Sequence, residues 1–530
     1  MAEGSKWEGG GDGGRGFDVV SWCGGVAVLK FLCMIMMMPD YRGEWEEDIG
    51  SMPKFSIYDK LLYNSKDVSL SPYGEYWRQM KSIYVLQLLS NRRVWSFKGI
   101  REEETALLME KIQENYNAQA LNNLSEMFVV FTNDVVCRVA FGRKFNENQK
   151  SGIVDFKEVL KEFVELLGLF NIGDFIPWLA WVNNFNGLNV RLKKVAKRFD
   201  LILEEILMQH TDKLNRTGNS SDNEYENKKD NSAGFPLERD SIKAQILDAF
   251  AAGTDTAYAV LEWAMTELLR NPEVMEKLQN EVREIAGEKE HLTEDDLEKM
   301  KYLKAVIKET LRLHPPVPLL VPRESTHDLK INGYDISSRT LVFLNAWAIQ
   351  RDPDIWENPE IFYPERLMQS TIDFKGMNFE LIPFGGGRRF CPGISFAMAN
   401  NELVLANLMH KFNSILPDGV NSETLDMSES IGLTIHRKTP LLALATPHWS
   451  TSSIFCKLLY DCREMIGHLH KLGTHTQHSL QSLLEKYGEL MLIYLGSRPT
   501  VIVSSERIAN EIMKTHDVVF SNRPRSSIND

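Results

Sequence analysis

The sequence predicts a mainly α-helical fold with a small β region. Amphipathic stretches with apolar residues at three- and four-residue intervals fill residues 71–210, and a second helical block begins at Ser241. Short extended segments around 319–322, 329–334 and 340–347, with turn residues such as Asn332-Gly333, follow Pro315. A chain of 530 residues that is 43% hydrophobic can bury a large core around these elements.

The later helices have clear sequence boundaries. The helix predicted from Ser241 to Arg270 ends where Asn271-Pro272 stops helical hydrogen bonding. Gly253 near its centre costs helix stability, which is explained either by close approach of a ligand to the backbone or by helix packing. Another helix is predicted at about 394–412, directly after a glycine-rich turn at 385–387.

The overall charge argues against nucleic-acid binding. The chain has 60 Lys and Arg against 73 Asp and Glu, a formal net charge of -13, whereas binding by phosphate neutralisation needs positive charge. Its six cysteines are dispersed, which indicates a reducing compartment, and none has the spacing of a zinc site. The chemistry of any one of these cysteines must therefore depend on the residues that surround it.

Four regions follow from composition and patterning. An apolar run from Phe17 to Met38 is long enough to cross a bilayer, but Asp18 and Lys30 interrupt it. A membrane anchor and a poorly structured extension both stay open. The regions are an atypical low-complexity and apolar extension at 1–54, a main body at 55–446, a linker at 447–464, and a C-terminal segment at 465–530.

The segment from Phe384 to Gly393 matches the pattern F-x-x-G-x-R-x-C-x-G at every fixed position. Glycines such as Gly387 let the backbone approach a flat macrocycle. Cys391 comes just before a helix start, whose amides and dipole favour a thiolate. A thiolate ligand to heme iron promotes cleavage of the O-O bond. The alternative, a structural cysteine in a tight turn, leaves the spacing of Arg389 and Phe384 unexplained.

Two further motifs carry a family resemblance. Glu309 and Arg312 resemble an E-x-x-R pair, and residues 363–367 (YPERL) are similar to a P-E-R-F element. Together with the Cys391 loop they resemble the plant microsomal (A-type) cytochrome P-450, the heme-thiolate monooxygenase family. The resemblance implies that family's mainly α fold. It also implies that Arg366 joins Glu309 and Arg312 in a buried structural charge network.

The same resemblance implies a function. A heme-dependent monooxygenase inserts one oxygen atom from O2 into an apolar plant secondary metabolite, with electrons from NADPH through an NADPH-cytochrome reductase. The expected location is the cytosolic face of the endoplasmic reticulum membrane, or a soluble state if residues 17–38 are no anchor. Two alternatives stay open: an inactive, non-enzymatic remnant or fusion of tandem gene copies, and a heme-thiolate dehydratase or isomerase.

The resemblance also implies roles for residues around the heme. Cys391 is the metal ligand, Phe384 shields its sulfur, and Arg389 contacts a propionate. Gly387 and Gly393 complete the loop. The remaining propionate candidates are Trp77, Lys81 and Arg323, where Lys81 stands in place of the arginine of the family's W-x-x-x-R motif and lacks its fork geometry.

Residues 252–256 (AGTDT) resemble the family's A-G-x-D-T segment of the long central helix. Gly253 then opens a groove for dioxygen, while Asp255 and Thr256 deliver protons. Without the cysteine loop, the same residues would indicate only a packed helix. The substrate pocket implied by family position is mostly aliphatic, which favours an apolar substrate: Ala249, Ala252, Val317, Leu319, Leu320, Ile431 and Leu433.

The C-terminal segment resembles the beginning of the family rather than its end. Residues 466–473, 486–488 and 520–524 match motifs that normally precede the heme-binding body, including a strand pair around Leu490 to Val503. A circular permutant would fold this segment back onto the body. The interpretation that we favour is a fusion between a truncated copy and the first segment of a neighbouring copy.

Overall fold

A computed structural model of the chain describes residues 55–144, 156–217, 238–448, 490–495 and 498–503, apart from the single positions 170, 176, 369, 418 and 431. The predicted extension at 1–54, the linker after His448 and most of the segment at 465–530 lie outside these residues. Sixteen α-helices are described: α1 (Ser56–Leu61), α2 (Glu75–Ile83), α3 (Asn91–Ser96), α4 (Lys98–Asn117), α5 (Leu124–Phe141), α6 (Phe156–Leu167), α7 (Ile172–Phe175), α8 (Val182–Phe185), α9 (Leu188–Thr217), α10 (Arg239–Arg270), α11 (Pro272–Ala286), α12 (Glu294–Leu297), α13 (Lys301–Leu313), α14 (Ala346–Ile349), α15 (Glu365–Met368) and α16 (Ile394–Lys411).

The β structure is small and antiparallel throughout the described strands. It comprises a three-stranded sheet of order β1-β7-β6 and three separate strand pairs, β2–β5, β3–β4 and β8–β9. The mainly α fold with a small β region is therefore confirmed. The strands are β1 (Asn122–Asn123), β2 (Arg323–Glu324), β3 (Leu329–Ile331), β4 (Tyr334–Ile336), β5 (Leu341–Val342), β6 (Phe412–Ile415), β7 (Leu442–Pro447), β8 (Leu490–Leu495) and β9 (Arg498–Val503).

Helix α10 runs through the core, as its sequence boundaries predict. It packs against α5, α13 and α16, and most side chains of its C-terminal half are buried, among them Trp263 and Leu268. Asn271 ends α10, and Pro272 takes the first position of α11, where its missing N–H costs nothing. Residues 248–256, which include the predicted site residues Gly253, Asp255 and Thr256, lie on this helix.

Two of the predicted extended segments are wrong in detail. Residues 319–322 form no strand, because Leu320 has a φ of 52° and packs with Ala346 and Ile382 instead. In the segment 340–347, only Leu341 and Val342 are strand. The side chain of Asn345 accepts a hydrogen bond from the Ala348 amide and so starts the short helix α14.

The strand pair predicted around Leu490 to Val503 is present as β8 and β9. Leu490 lies opposite Val503 and Leu495 opposite Arg498. Among the described strands, β8 and β9 pair only with each other. No helix within the described ranges combines the length and hydrophobicity needed to cross a bilayer, and the apolar run at 17–38 lies outside those ranges.

Candidate functional site

The cysteine loop is a tight turn that depends on glycine. Gly385 and Gly387 have φ values of 71° and 66°, a left-handed conformation that glycine adopts without strain. The Cys391 amide donates to the Phe384 carbonyl at 3.1 Å and closes the loop. Gly393 then caps α16, so Cys391 stands at the start of an 18-residue helix. A methyl group on Gly393 would lie 3.7 Å from the Cys391 sulfur.

Burial dominates the electrostatics of the Cys391 thiol. Desolvation raises its pKa, while the Gly393 amide and the Lys81 ammonium act in the opposite direction. The charge of Asp248 on α10 also raises this pKa, which indicates that the central helix faces the loop. The thiol therefore stays protonated until a stronger positive charge comes close.

Three cationic side chains converge on the cysteine loop. Lys81 donates to the Phe390 carbonyl, and Arg323 donates to the Gly386 carbonyl at 3.0 Å. Arg389 donates to the Ser71 carbonyl at 2.8 Å. Burial lowers the pKa of Lys81 to about 8 and that of Arg389 to about 10. An anionic group bound here would relieve this cost.

Trp77 lies in the same cluster but differs from the expected propionate donor. Its indole N–H donates to the Val68 carbonyl at 3.1 Å. Its ring lies under the guanidinium of Arg389 at 4.4 Å and under the ammonium of Lys81 at 5.6 Å. In this arrangement Trp77 holds the two cations, and its contact with a propionate stays a prediction.

Glu309, Arg312 and Arg366 meet in one buried network. Arg312 makes a two-pronged contact with Glu309, with N···O distances of 2.9 and 2.8 Å, and both side chains are fully buried. The Nε of Arg366 donates to the same Glu309 carboxylate at 3.0 Å. Arg312 also donates to the carbonyls of Gln350 and Pro359. The network therefore ties α13 to the segment 350–366 that follows it.

On the central helix, the residues expected to handle protons are held by different partners. The Thr256 hydroxyl donates to the Ala252 carbonyl at 2.7 Å, within its own helix. Asp255 instead accepts from His436, at 3.1 Å. A methyl group on Gly253 would lie 3.5 Å from a Val136 methyl, an ordinary contact, so packing alone does not require glycine there.

The predicted pocket residues have mixed surroundings. Ala249 and Ala252 are exposed, although α10 is largely buried. Half-buried positions are Val317, Leu319 and Leu433. Leu320 is buried against the cysteine loop, 3.9 Å from a methyl group placed on Gly385. Ile431 lies outside the described residues. A small cleft between Trp263, His314 and Trp347 borders Pro318 but none of the predicted pocket residues.

Sequence reasoning missed a buried carboxyl pair beside the site. The Ser69 backbone amide donates to Asp248 at 3.2 Å, and the Leu70 amide donates to Asp67 at 2.9 Å. Burial raises the pKa of Asp67 well above its usual value and that of Asp248 to about 6. Isolated aspartates give no sequence signal, because the pair forms only when the loop before α2 packs on α10.

Gly168 is a second position that sequence reasoning missed. A methyl group on it would lie 2.2 Å from the Leu433 amide nitrogen and 2.4 Å from the Gly432 carbonyl carbon. The C-terminal end of α6 therefore presses directly on the backbone of the turn that carries Leu433. Only glycine permits this approach, which fixes one of the predicted pocket segments.

Comparisons with known proteins agree with this geometry. The sequence profile of the cytochrome P-450 family matches residues 39–443 and 462–530. A cytochrome P-450 of Prunus mume is 55% identical over 405 residues, which is 75% of this chain and 78% of that protein. The tabersonine/lochnericine 19-hydroxylase of Catharanthus roseus is 50% identical over 404 residues, 74% of this chain and 79% of that protein.

Two further matches point the same way. The (+)-menthofuran synthase of Mentha piperita is 48% identical over 405 residues, which is 76% of this chain and 80% of that protein. A solved structure of a zebra fish cytochrome P-450 with abiraterone has a TM-score of 0.60 and 23% sequence identity. It covers 75% of this chain and 88% of that one, and at this identity it shows the fold alone.

Proposed function

The chain belongs to the cytochrome P-450 family, and we propose that Cys391 is the residue whose thiolate would bind the iron of its heme. The resemblance to plant microsomal, A-type members is confirmed by the relatives. The chain is thus a heme-dependent monooxygenase of the heme-thiolate type, with electrons supplied from NADPH by a reductase. One observation carries the assignment of Cys391: a single cysteine at a helix start, on a glycine turn surrounded by three cations.

The residues at the loop fit a heme. A desolvated thiol becomes a thiolate when a metal ion binds it, which removes the cost that burial places on its charge. Lys81, Arg323 and Arg389 offer three positive charges for two propionates. Burial lowers the pKa of Lys81 and of Arg389, a cost that a bound anion would relieve. Gly385 and Gly387 leave the face of the loop without side chains.

Each residue has one task when the heme is bound. The heme supplies dioxygen activation, so that one oxygen atom enters the substrate and the other leaves as water. Phe384 would shield the Cys391 sulfur, and Gly253, which has no side chain, would leave space for dioxygen beside the backbone of α10. The Asp255 carboxylate and the Thr256 hydroxyl would carry protons into the site beside α10. The network of Glu309, Arg312 and Arg366 holds α13 in place.

The substrate we propose is an apolar plant secondary metabolite. Relatives include a tabersonine/lochnericine 19-hydroxylase, a menthofuran synthase and a 3-beta-hydroxylase, each named for a product or position of oxidation. The aliphatic set that contains Ala249, Ala252 and Leu320 supports an apolar ligand with few charged groups. A dehydratase or isomerase that uses no reductase is the second candidate, and turnover without NADPH would identify it.

The partner and location belong to the same proposal. The family implies a reductase partner, a substrate and O2; the partner we propose is NADPH-cytochrome reductase, at the cytosolic face of the endoplasmic reticulum membrane. Its anchor would be the apolar run at 17–38, while a soluble protein is the alternative. The formal charge of -13 supports no role for nucleic acid.

The division into 1–54, 55–446, 447–464 and 465–530 is part of the proposal as well. A family profile that matches in two stretches, 39–443 and 462–530, is consistent with a displaced segment at the C-terminus. Among the described strands, β8 and β9 pair only with each other, which is consistent with a distinct C-terminal segment. We favour a fusion of two gene copies over a permutant, and a contiguous transcript across 446–465 would refute the fusion-artefact form of this interpretation.

The carbon monoxide difference spectrum of the reduced recombinant protein tests the proposal. The wild type is expected to show a thiolate-type Soret band, and Cys391→Ala to lose it, because alanine offers no axial ligand. Cys137→Ala is the matched control, since Cys137 is a second cysteine, fully buried on α5 and outside the cysteine loop. A Cys391→Ala protein with an unchanged band would refute the ligand assignment, and a wild type without heme would support the inactive remnant.

A further inference from the structure

His436 makes a direct contact with the candidate proton donor of the site. Its Nε2 lies 3.1 Å from the Asp255 Oδ1, although the two residues are 181 positions apart in sequence. The side chains are 15% and 17% exposed, so solvent screens their interaction little. Because a carboxylate only accepts hydrogen bonds, Nε2 is the donor.

The ring of His436 is held in place from two sides. It stacks on the Tyr258 ring at a centroid distance of 4.4 Å and an interplanar angle of 16°. Its backbone amide donates to the Ser430 hydroxyl at 3.2 Å, and the Ser430 amide donates to the His436 carbonyl at 2.8 Å. The imidazole that contacts Asp255 therefore belongs to a turn that is held by backbone hydrogen bonds and by ring stacking.

The surrounding groups form a buried column along α10. Tyr258 lies one turn after Asp255, and its hydroxyl is 3.5 Å from the Glu262 carboxylate. Glu262 also accepts from the Arg437 amide at 2.9 Å, directly after His436 in sequence. Burial raises the pKa of Glu262 and of Tyr258 and lowers that of Arg437. These groups fix the turn, but the contact with Asp255 is made by His436.

The contact makes the two oxygens of Asp255 different. Oδ1 accepts from His436, whereas Oδ2 is buried and has no hydrogen-bond partner among the described residues. Oδ2 is thus the oxygen that stays available to take and pass on a proton. Thr256, whose hydroxyl is engaged with Ala252, cannot fix the Asp255 side chain.

We propose that His436 is a positioning residue, which holds Oδ1 of Asp255 so that Oδ2 serves proton delivery. This inference rests on the proposed function. Without the imidazole, the Asp255 side chain can rotate about its own bonds, and proton transfer to the distal side slows. In coupled turnover, the substrate RH, one O2, two electrons and two protons give ROH and one water. Without timely proton delivery, the same O2, two electrons and two protons leave as H2O2 and the substrate RH is released unchanged.

The test measures the share of consumed O2 that appears as H2O2, with NADPH, the reductase and 7-ethoxycoumarin as an apolar probe. His436→Leu is expected to raise the ratio of H2O2 to the other products of O2 consumption roughly tenfold. A change of this size corresponds to the loss of one hydrogen bond to a charged group. His436→Gln, which keeps an N–H donor, is expected to restore most of the wild-type ratio. Tyr258→Phe keeps the stacked ring and is the control, with an unchanged ratio.

A second measurement separates positioning from a general structural defect. Iodosylbenzene donates one oxygen atom and leaves as iodobenzene, so oxidation that it supports needs no proton delivery. The rate of iodosylbenzene-supported oxidation of the probe is compared between the wild type and His436→Leu at equal heme content. If the probe is not oxidised, the output of H2O2 is compared instead. Equal iodosylbenzene activity but higher peroxide output in His436→Leu supports the proposal. A wild-type peroxide share in His436→Leu, or equal loss of both activities, would overturn it.

The outcome for the proposed function is read separately. If the wild type shows no thiolate-type band and no NADPH oxidation, the monooxygenase proposal fails before His436 is tested. If the band is intact in the wild type and in every variant, a failure concerns His436 alone. If His436→Leu binds no heme, the ratio of H2O2 to other products is compared between His436→Gln and Asp255→Asn. The proposal requires the ratio of His436→Gln to resemble that of the wild type.

Discussion

Replacing Arg312 by methionine tests the stability contributed by the buried charge network. Arg312 is fully buried and donates twice to Glu309, which is also fully buried. Methionine has a similar length and fills the space with an adaptable apolar chain. The variant therefore removes charge and hydrogen bonds while leaving little cavity.

The expected loss follows from the groups left behind. Glu309 keeps Arg366 as a partner at 3.0 Å, so its carboxylate is not isolated. Removing one member of a buried ion pair nevertheless costs about 3–5 kcal/mol. The carbonyls of Gln350 and Pro359 also lose their donor, at about 1 kcal/mol or more each. The expected decrease in the free energy of unfolding is at the upper end of this range, about 5 kcal/mol.

Denaturant unfolding of the heme-loaded protein, followed by circular dichroism and by the Soret band, measures the change. The matched control is Lys277→Met, because Lys277 pairs with Glu365 at the surface, at 2.6 Å and 56% exposure. Such an exposed pair contributes little to stability, because water and salt screen the two charges. If Arg312→Met and Lys277→Met unfold at the same denaturant concentration, the network is not the stabilising element described here.

Two further predictions concern positions that lie beside the site. Because burial raises the pKa of Asp248 to about 6, its contribution to stability is present below about pH 4 and is lost as the pH rises through 6. Asp248→Asn should therefore gain stability relative to wild type by up to roughly 3 kcal/mol from pH 4 to 6 in thermal unfolding, and a constant difference would contradict this. Gly168→Ala should lower the melting temperature by several degrees, because its methyl group meets the Leu433 backbone at 2.2 Å. The control Gly99→Ala, with nothing within 4 Å on an exposed part of α4, should leave it unchanged or raise it slightly, and equal behaviour of both variants would refute the steric reasoning.

The sequence alone determined the features that depend on neighbours along the chain. Pro272 ends α10 because a proline removes a helical donor, and Thr293 with Asp296 forms a capping box at the start of α12. The spacing of residues from Phe384 to Gly393 identified the cysteine loop. The glycines at 385 and 387 adopt the positive φ angles of a tight turn, which glycine adopts without strain. Local chemistry was sufficient in each case.

Only the tertiary structure decided which distant side chains meet. His436 and Asp255 are 181 residues apart, and Ser69 and Asp248 are 179 residues apart. No periodicity or motif links such positions, because their contact depends on how α10 packs against separate loops. The same holds for Trp77, whose N–H is bound by Val68 although its motif predicts a propionate contact. Sequence patterns specify the elements and the reactive sulfur, while packing specifies the partners that orient each charged group.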